Sequence, residues 1–267
     1  MTRPHAGNDD PPVRPHAPTL PGEVIVRPTA DDLIDAVAAD LFLHAHNCVR
    51  SFESFHIALS GGSTPMPLYR RLMYDMNYRS LPWSGAHLWI VDERRVPFDD
   101  ERSNYGAIHD LIVEHSGMVR ANAHPIQAAE EDADIRYEHE LVRTLALRGA
   151  GRDRLDYVLL GMGADAHTAS LFPHSPALAE TRRLVRINDG DAVTPPDRVT
   201  MTLPLINASR FIAVMVTGAG KRETIARVAA AHARGEPDAE TINALPILGV
   251  RPIGGALRWY LDEAACP

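Results

Sequence analysis

Short apolar segments that end at glycines or charged residues recur along this chain, and most are followed by a stretch with helical periodicity. Each segment is five or six residues long, which is typical of a buried strand. The six segments read FHIALS, HLWIV, DYVLL, RVTMT, FIAVMV and LRWYL. Because strands alternate with helices in α/β proteins, the pattern predicts that class, with a mainly parallel sheet.

The stretches between the predicted strands have the spacing of amphipathic helices. In the first of them, TADDLIDAVAADLFLHAH, apolar residues recur at Leu33, Val37 and Leu41 behind an acidic first turn. Ser103 stands where the N-cap of a helix over NYGAIHDLIVEH would be. Further helices are predicted for MPLYRRLMYDM, DIRYEHELVRTLAL and GAGKRETIARVAAAHA.

Composition and charge limit the partners of the protein. Of the 267 residues 45% are hydrophobic and 23% are charged, as in ordinary globular proteins. A formal net charge of −8 argues against nucleic acid and anionic membranes, because both select positive surfaces. Two cysteines, Cys48 and Cys266, do not suggest a disulfide framework or a cysteine-based zinc site. We expect a small-molecule ligand and a monomer or weak homo-oligomer.

The N-terminal segment is rich in proline and polar residues and lacks the apolar core of a secretory signal. No stretch of the chain approaches the ~20 consecutive apolar residues of a membrane span. We expect residues 1–22 to form a disordered tail and residues 23–267 to form a single α/β domain. A cytoplasmic location follows as an expectation.

Four of the predicted strands end in polar or glycine-rich loops. The loops are SGGSTP after the first strand, DERRVP after the second, GMGADAH after the third and TGAGK after FIAVMV. In open parallel sheets, ligands bind beyond the carboxyl ends of the strands. The four loops are therefore predicted to meet at one edge and to form one site.

The first loop, Ser60–Pro65, has the components of a phosphate-binding loop. Gly61 and Gly62 let the backbone approach an anion closely. Ser63 and Thr64 supply hydroxyl groups, and the N-terminus of a helix follows. The alternative is a tight strand-to-helix turn with Ser63 as the helix cap. The loop lacks the lysine of a P-loop and the G-x-G-x-x-G dinucleotide pattern, so we expect no nucleotide cofactor.

Two other loops place cations at strand ends. Lys221 lies in the first turn of a predicted helix, where a positive charge opposes the helix dipole at a cost of about 0.3–1 kcal/mol unless an anion compensates it. Arg94 and Arg95 can each offer a planar pair of donors to an oxygen-rich ligand. The alternatives are a solvated lysine and a solvated loop with local ion pairs.

The strongest candidate for chemistry is His167, at the end of GMGADAH. Imidazole can take a proton from water near neutral pH. Asp165 is close enough in sequence to orient the ring or to stabilise its charged form. Because no Gly-x-Ser-x-Gly elbow and no clear nucleophile is present, the pattern favours direct attack by activated water. The alternative is a structural histidine at a strand end.

Taken in order, these motifs resemble a known family, the 6-phosphogluconolactonases and glucosamine-6-phosphate deaminases. The resemblance runs from about the first helix to the C-terminus. It depends on five ordered motifs: ALSGGSTP, VDERRVP with the later SNYG, LLGMGADAHTASLFP, RVTMTLPLIN and TGAGKRE.

The resemblance implies a three-layer α/β/α fold with a mainly parallel, Rossmann-like sheet. It also implies hydrolysis of 6-phospho-D-glucono-1,5-lactone to 6-phospho-D-gluconate in the oxidative pentose phosphate pathway, with no metal or organic cofactor. By motif, His167 matches the general base with Asp165 beside it, and Arg94 matches an arginine that contacts the lactone oxygen. The other implied site residues are the phosphate-binding Ser60, Gly61, Gly62, Ser63, Thr64, Lys221 and Arg198, and also Asp92, whose role stays open.

Two positions distinguish this chain within the family pattern. The deaminase pattern has an acid one position before the proline of HTASLFP, and this chain has Phe172 there. That difference favours the lactonase, with a deaminase-like isomerase and a non-catalytic sugar-phosphate sensor as alternatives. The usual Asp-Gly-His is Asp-Ala-His here, and Ala166 would cost about 1 kcal/mol if the position is left-handed.

Overall fold

The computed structural model describes residues 17–188 and 196–267. The strands in these ranges are β1 (Glu23–Arg27), β2 (Phe55–Leu59), β3 (Ala86–Ile90), β4 (Asp92–Arg94), β5 (Ala123–His124), β6 (Tyr157–Leu160), β7 (Val185–Asn188), β8 (Arg198–Met201), β9 (Phe211–Val216) and β10 (Ala256–Asp262). The α-helices are α1 (Ala30–Phe52), α2 (Met66–Tyr74), α3 (Asn104–Ile108), α4 (Ala133–Ala146), α5 (Leu203–Ala208), α6 (Arg222–His232) and α7 (Ala239–Ala244).

Seven of the strands form one parallel sheet, in the order β1-β10-β9-β6-β2-β3-β5. The three strands in its middle, β9, β6 and β2, are buried along their whole length. Parallel strands of this kind need cover on both faces, and the helices flank the sheet. The predicted α/β class and the mainly parallel sheet are confirmed.

The first helix shows how sequence pattern and packing agree. The Thr29 side chain caps α1 by accepting a hydrogen bond from the backbone N–H of Asp32. Leu33, Val37 and Leu41 are fully buried, as their spacing predicts. Within the described ranges, no helix is both long and apolar enough to cross a membrane.

A second, antiparallel sheet was not predicted. Its strand order is β4-β8-β7, so RVTMT pairs with β4 and β7 and does not enter the parallel sheet. Strand β4 is only three residues long and carries the charged sequence DER, which has no apolar alternation to identify it. Through β4 the chain passes from β3 of the main sheet into the second sheet.

The packed chain begins before the expected boundary at residue 22. Leu20 is buried in the core, and the indole N–H of Trp259 donates a 2.8 Å hydrogen bond to the carbonyl of Pro21. The rest of the expected tail, residues 1–16, lies outside the described residues.

Candidate active site

A cleft of about 290 Å³ lies at the carboxyl edge of the parallel sheet, where the predicted loops meet. Nine of the eleven predicted site residues line it, and Asp165 and Arg198 do not. The lining residues are Ser60, Gly61, Gly62, Ser63, Thr64, Pro65, Asp92, Arg94, Asn104, Gly161, Met162, Gly163, His167, Ala169 and Lys221.

His167 and Asp165 form a pair at the wall of this cleft. Nδ1 of His167 lies 2.6 Å from Oδ1 of Asp165, and the backbone N–H of His167 donates to the same oxygen over 3.1 Å. Because a carboxylate oxygen accepts, we assign the ring proton to Nδ1, which leaves a lone pair on Nε2. The ring is about one-third exposed, so Nε2 can act as a base toward a molecule in the cleft.

The carboxylate of Asp165 stays charged over the whole working range of a protein. Burial acts to raise the pKa of Asp165, but the hydrogen bond and the charge of His167 outweigh it and lower the pKa to about 2. An ionised Asp165 holds the ring in one tautomer and would stabilise its protonated form.

Gly163 makes room for this pair. A Cβ at position 163 would lie 2.2 Å from Nδ1 of His167 and 2.5 Å from Oδ1 of Asp165. The backbone N–H of Gly163 also donates to the carbonyl of His167 over 2.8 Å, which closes the loop. The glycine is therefore required by its contact with the His167–Asp165 pair.

Ala166 occupies the position where the family pattern has glycine, and its φ is +69°. The position is left-handed, so the condition under which alanine carries a cost of about 1 kcal/mol is met. Ala166 is fully buried, and its carbonyl accepts a hydrogen bond from the N–H of Ile247 over 3.0 Å. The loop is also tied to α6, because the hydroxyl of Thr224 donates to the carbonyl of Ala164 over 2.6 Å.

The glycine loop, Ser60–Pro65, differs in detail from the prediction. Gly62 has a φ of +88°, which only glycine adopts at low cost. The N-cap of α2 is Pro65, with no side-chain cap, so the alternative role of Ser63 as helix cap is wrong. Ser60 lines the cleft, but its hydroxyl donates to the carbonyl of Leu159 over 2.8 Å and joins the ends of β2 and β6.

The segment after β3 carries Asp92 and Arg94 into the cleft. The carboxylate of Asp92 accepts a 2.6 Å hydrogen bond from the hydroxyl of Ser170. Nη1 of Arg94 donates to the carbonyl of Arg102 over 2.6 Å, which holds the guanidinium at the rim.

Two arginines considered from the sequence lie outside the cleft. Arg95 donates to the carbonyls of Ala128 and Glu130, so the idea that it offers donors to the ligand is wrong. Arg198 is buried opposite Arg94 in the β4–β8 ladder, outside the residues that line the cleft. Its predicted contact with phosphate stays a prediction.

Lys221 is the only lysine in the chain, beside 26 arginines among the 27 basic residues. It lies at the end of the short turn before α6 and forms no ion pair in the described part of the protein. Burial lowers the pKa of the Lys221 ammonium, and the charge of Asp165 offsets this only partly. An anion in the cleft would stabilise the charged form.

Several cleft residues were not predicted individually, and Asn104, Met162 and Gly163 are the clearest cases. Asn104 belongs to SNYG, which the family resemblance includes, but its place in the site depends on how α3 packs against the glycine loop. The described residues contain no group of three or more histidine, cysteine or acidic side chains arranged to hold a metal ion.

Comparison with known proteins places this geometry in a family. The family described as glucosamine-6-phosphate isomerases/6-phosphogluconolactonase matches residues 28–259. The chain belongs to this family. Among its relatives, the 6-phosphogluconolactonase of Synechocystis sp. is 37% identical over 213 residues, which are 78% of this chain and 82% of that protein.

A longer relative and a solved structure support the same family assignment. The human GDH/6PGL endoplasmic bifunctional protein is 37% identical over 249 residues, which are 90% of this chain but only 30% of that protein. This chain thus spans less than a third of that relative. The crystal structure of the 6-phosphogluconolactonase from Thermotoga maritima superposes on this protein with a TM-score of 0.73 at 25% sequence identity. The match covers 90% of this chain and 99% of the Thermotoga chain.

We expect Gly163→Ala to disrupt the His167–Asp165 pair. The new methyl group would overlap both members, so ring and carboxylate would have to separate and catalytic activity would fall by about 10²-fold, the usual effect of a 1 Å misplacement. The control is Gly220→Ala, because Gly220 is exposed and a Cβ there meets nothing within 4 Å. Equal activity of the two variants would contradict the role given to Gly163.

Ala166→Gly tests the cost of the left-handed alanine. Relief of about 1 kcal/mol of backbone strain is offset by loss of a buried methyl group worth about 0.8 kcal/mol. We expect the free energy of unfolding to change by less than about 1 kcal/mol, with activity retained or raised. Ala164→Gly, at an exposed position without positive φ, should only destabilise. A large loss of activity in Ala166→Gly would contradict this account of the loop.

The single lysine can be observed directly. Reductive ¹³C-methylation labels Lys221 and the N-terminal amine, and NMR then follows the lysine signal through a pH titration. We expect its midpoint to lie below that of the same group in denatured protein and to rise when inorganic phosphate is added. A midpoint that phosphate does not move would remove Lys221 from the anion site.

Proposed function

We propose that this protein is a 6-phosphogluconolactonase, which hydrolyses 6-phospho-D-glucono-1,5-lactone to 6-phospho-D-gluconate. The observation that carries the proposal is one cleft lined both by His167, whose ring is paired with Asp165 behind it, and by a loop suited to an anion. Lys221 lines the same cleft and supplies a cation. The cytoplasmic location and the monomeric or weakly oligomeric state expected from the sequence stay predictions.

The reaction needs a base for water, and His167 meets that need. Nε2 of His167 takes a proton from water as the water oxygen forms a bond to C1 of the lactone. The imidazolium that results is stabilised by Asp165. When the tetrahedral intermediate collapses, the bond between C1 and the ring oxygen breaks, and the proton on Nε2 passes to that oxygen.

Negative charge develops on the former carbonyl oxygen during the attack. Arg94 lies at the rim of the cleft and is the guanidinium we assign to that oxygen. The phosphate group binds against the glycine loop, with Lys221 as the cationic partner. Binding energy from the phosphate, which is remote from C1, then holds the lactone in register with His167.

Phe172 separates this proposal from the deaminase alternative. Its ring packs edge-on against His167, with ring centroids 5.0 Å apart. A deaminase would need an acid at this position to work with the histidine in opening an amino sugar, and a phenyl ring cannot carry a proton. Release of ammonia from glucosamine 6-phosphate by the purified protein would establish the alternative.

The proposal predicts a histidine-dependent lactonase. The lactone is generated in situ, and release of acid is followed with and without protein, because the lactone also opens spontaneously in water. We expect His167→Ala to lower kcat by about 10²–10⁴-fold, the usual contribution of a general base. Binding of 6-phosphogluconate should be largely retained.

The matched control is His139→Ala, which removes an exposed histidine of α4 outside the cleft. Wild-type turnover in His167→Ala would show that the base is wrongly assigned. Absence of lactonase activity in the wild-type protein would refute the proposed function.

A further inference from the structure

We propose that Asn104 is a positioning residue, which sets the distance between the glycine loop and the strand that carries Asp92 and Arg94. The inference deepens the proposed function and rests on it, because the two segments are assigned to the phosphate group and to the reacting carbon. Two features of the molecule carry the inference: the orientation of the Asn104 amide and its contact with Gly61.

The orientation of the amide is determined by its partner. Asn104 is 4% exposed, and its Nδ2 donates a 2.7 Å hydrogen bond to the main-chain carbonyl of Asp92. A carbonyl can only accept, so the amide nitrogen must face Asp92 and the amide oxygen must face the other way.

The backbone of Asn104 is held as firmly as its side chain. Its N–H donates to the buried carboxylate of Glu93 over 2.7 Å, and the N–H of Tyr105 donates to the other oxygen over 2.7 Å. The hydroxyl of Ser103 adds a third donor to Glu93. The start of α3 is therefore fixed to β4, and the amide cannot move independently of that strand.

The other face of the amide contacts the glycine loop. A Cβ at Gly61 would lie 1.9 Å from Oδ1, 2.0 Å from Cγ and 2.7 Å from Cβ of Asn104. Gly61 does not have a positive φ, so glycine is required here by close approach alone. Oδ1 itself has no hydrogen-bond partner among the described residues.

The unpaired, buried Oδ1 of Asn104 costs free energy. The amide is present in spite of this cost, which indicates that its other end, the Nδ2 bonded to Asp92, is needed. A leucine of similar shape would fill the space without that cost but could not bond to the carbonyl of Asp92. Asn104 thus works as a spacer with one polar end on β4 and one end against Gly61. If it is shortened, the loop and strand lose their register, and the phosphate no longer holds C1 against His167 and Arg94.

The first experiment compares Asn104→Ala with Asn207→Ala. The Asn207 side chain likewise joins its own segment to another, the main chain at residues 249–251. Its Nδ2 donates to the carbonyl of Gly249 over 2.9 Å, and its Oδ1 accepts from the N–H of Arg251 over 2.7 Å. Asn207 lies outside the cleft. Calorimetry measures the Kd of 6-phosphogluconate and of unphosphorylated gluconate, and lactone hydrolysis gives kcat and KM.

We expect Asn104→Ala to raise the Kd of 6-phosphogluconate about ten-fold, to leave binding of gluconate within about two-fold, and to lower kcat as well. Asn207→Ala should lower Tm without changing either Kd. If Asn104→Ala does not fold, Asn104→Leu keeps a similar shape without adding a charge, loses the donor to Asp92 and is expected to weaken the binding of 6-phosphogluconate in the same way. Equal losses for both ligands, or no loss, would overturn the inference.

The second experiment tests the contact itself with a double-mutant cycle. Gly61→Ala alone should weaken the binding of 6-phosphogluconate at least ten-fold, because the new methyl group overlaps the Asn104 amide. Asn104→Gly removes all three atoms that the methyl group would meet, so in that background Gly61→Ala should change the Kd by less than about two-fold. Independent, multiplicative effects would contradict the contact.

These outcomes separate the inference from the proposed function. A wild-type protein that binds 6-phosphogluconate but does not hydrolyse the lactone would refute the function and leave the role of Asn104 in binding testable by calorimetry. A working lactonase in which Asn104→Ala behaves like Asn207→Ala would refute the inference alone.

Discussion

The parallel hydrogen bonding of one seven-stranded sheet is the constraint on which the rest of the structure depends. Parallel strands share one direction, so every strand releases the chain at the same edge. The central strands β2, β6 and β9 are buried throughout, and their ends are the points where polar loops reach solvent. Residues more than 150 positions apart, such as Gly61 and Lys221, thus line one cleft.

Within that cleft, the chemistry depends on two backbone conditions in one loop. Position 163 has no side chain, and position 166 is left-handed. Together they allow the carboxylate of Asp165 to contact both the ring and the backbone N–H of His167. The ring of His167 is therefore oriented by a carboxylate of its own loop, two residues away in the chain.

Local charge, and not the net charge of the molecule, determines the ligand that this cleft suits. The chain carries a formal charge of −8, yet Arg94 and Lys221 face the cleft, and the glycine loop offers free backbone beside them. Burial weakens the hold of Lys221 on its proton, so the free site favours an anion that restores it. The phosphorylated sugar lactone that we propose as substrate would supply that anion far from its reacting carbon.

Local patterns were enough to predict the fold class, a mainly parallel sheet, the four loops at strand ends and the pairing of His167 with Asp165, because strand periodicity and contacts over two residues are local properties. They did not predict the short edge strands β1 and β5 or the antiparallel sheet that takes in RVTMT. The roles of residues whose partners are distant in the chain became visible only in the folded protein. Folding turned Arg95 toward the 128–130 loop, committed the Ser60 hydroxyl to Leu159, and set Asn104 against Gly61. Those contacts join different elements, and their geometry depends on how the elements pack, which no local pattern records.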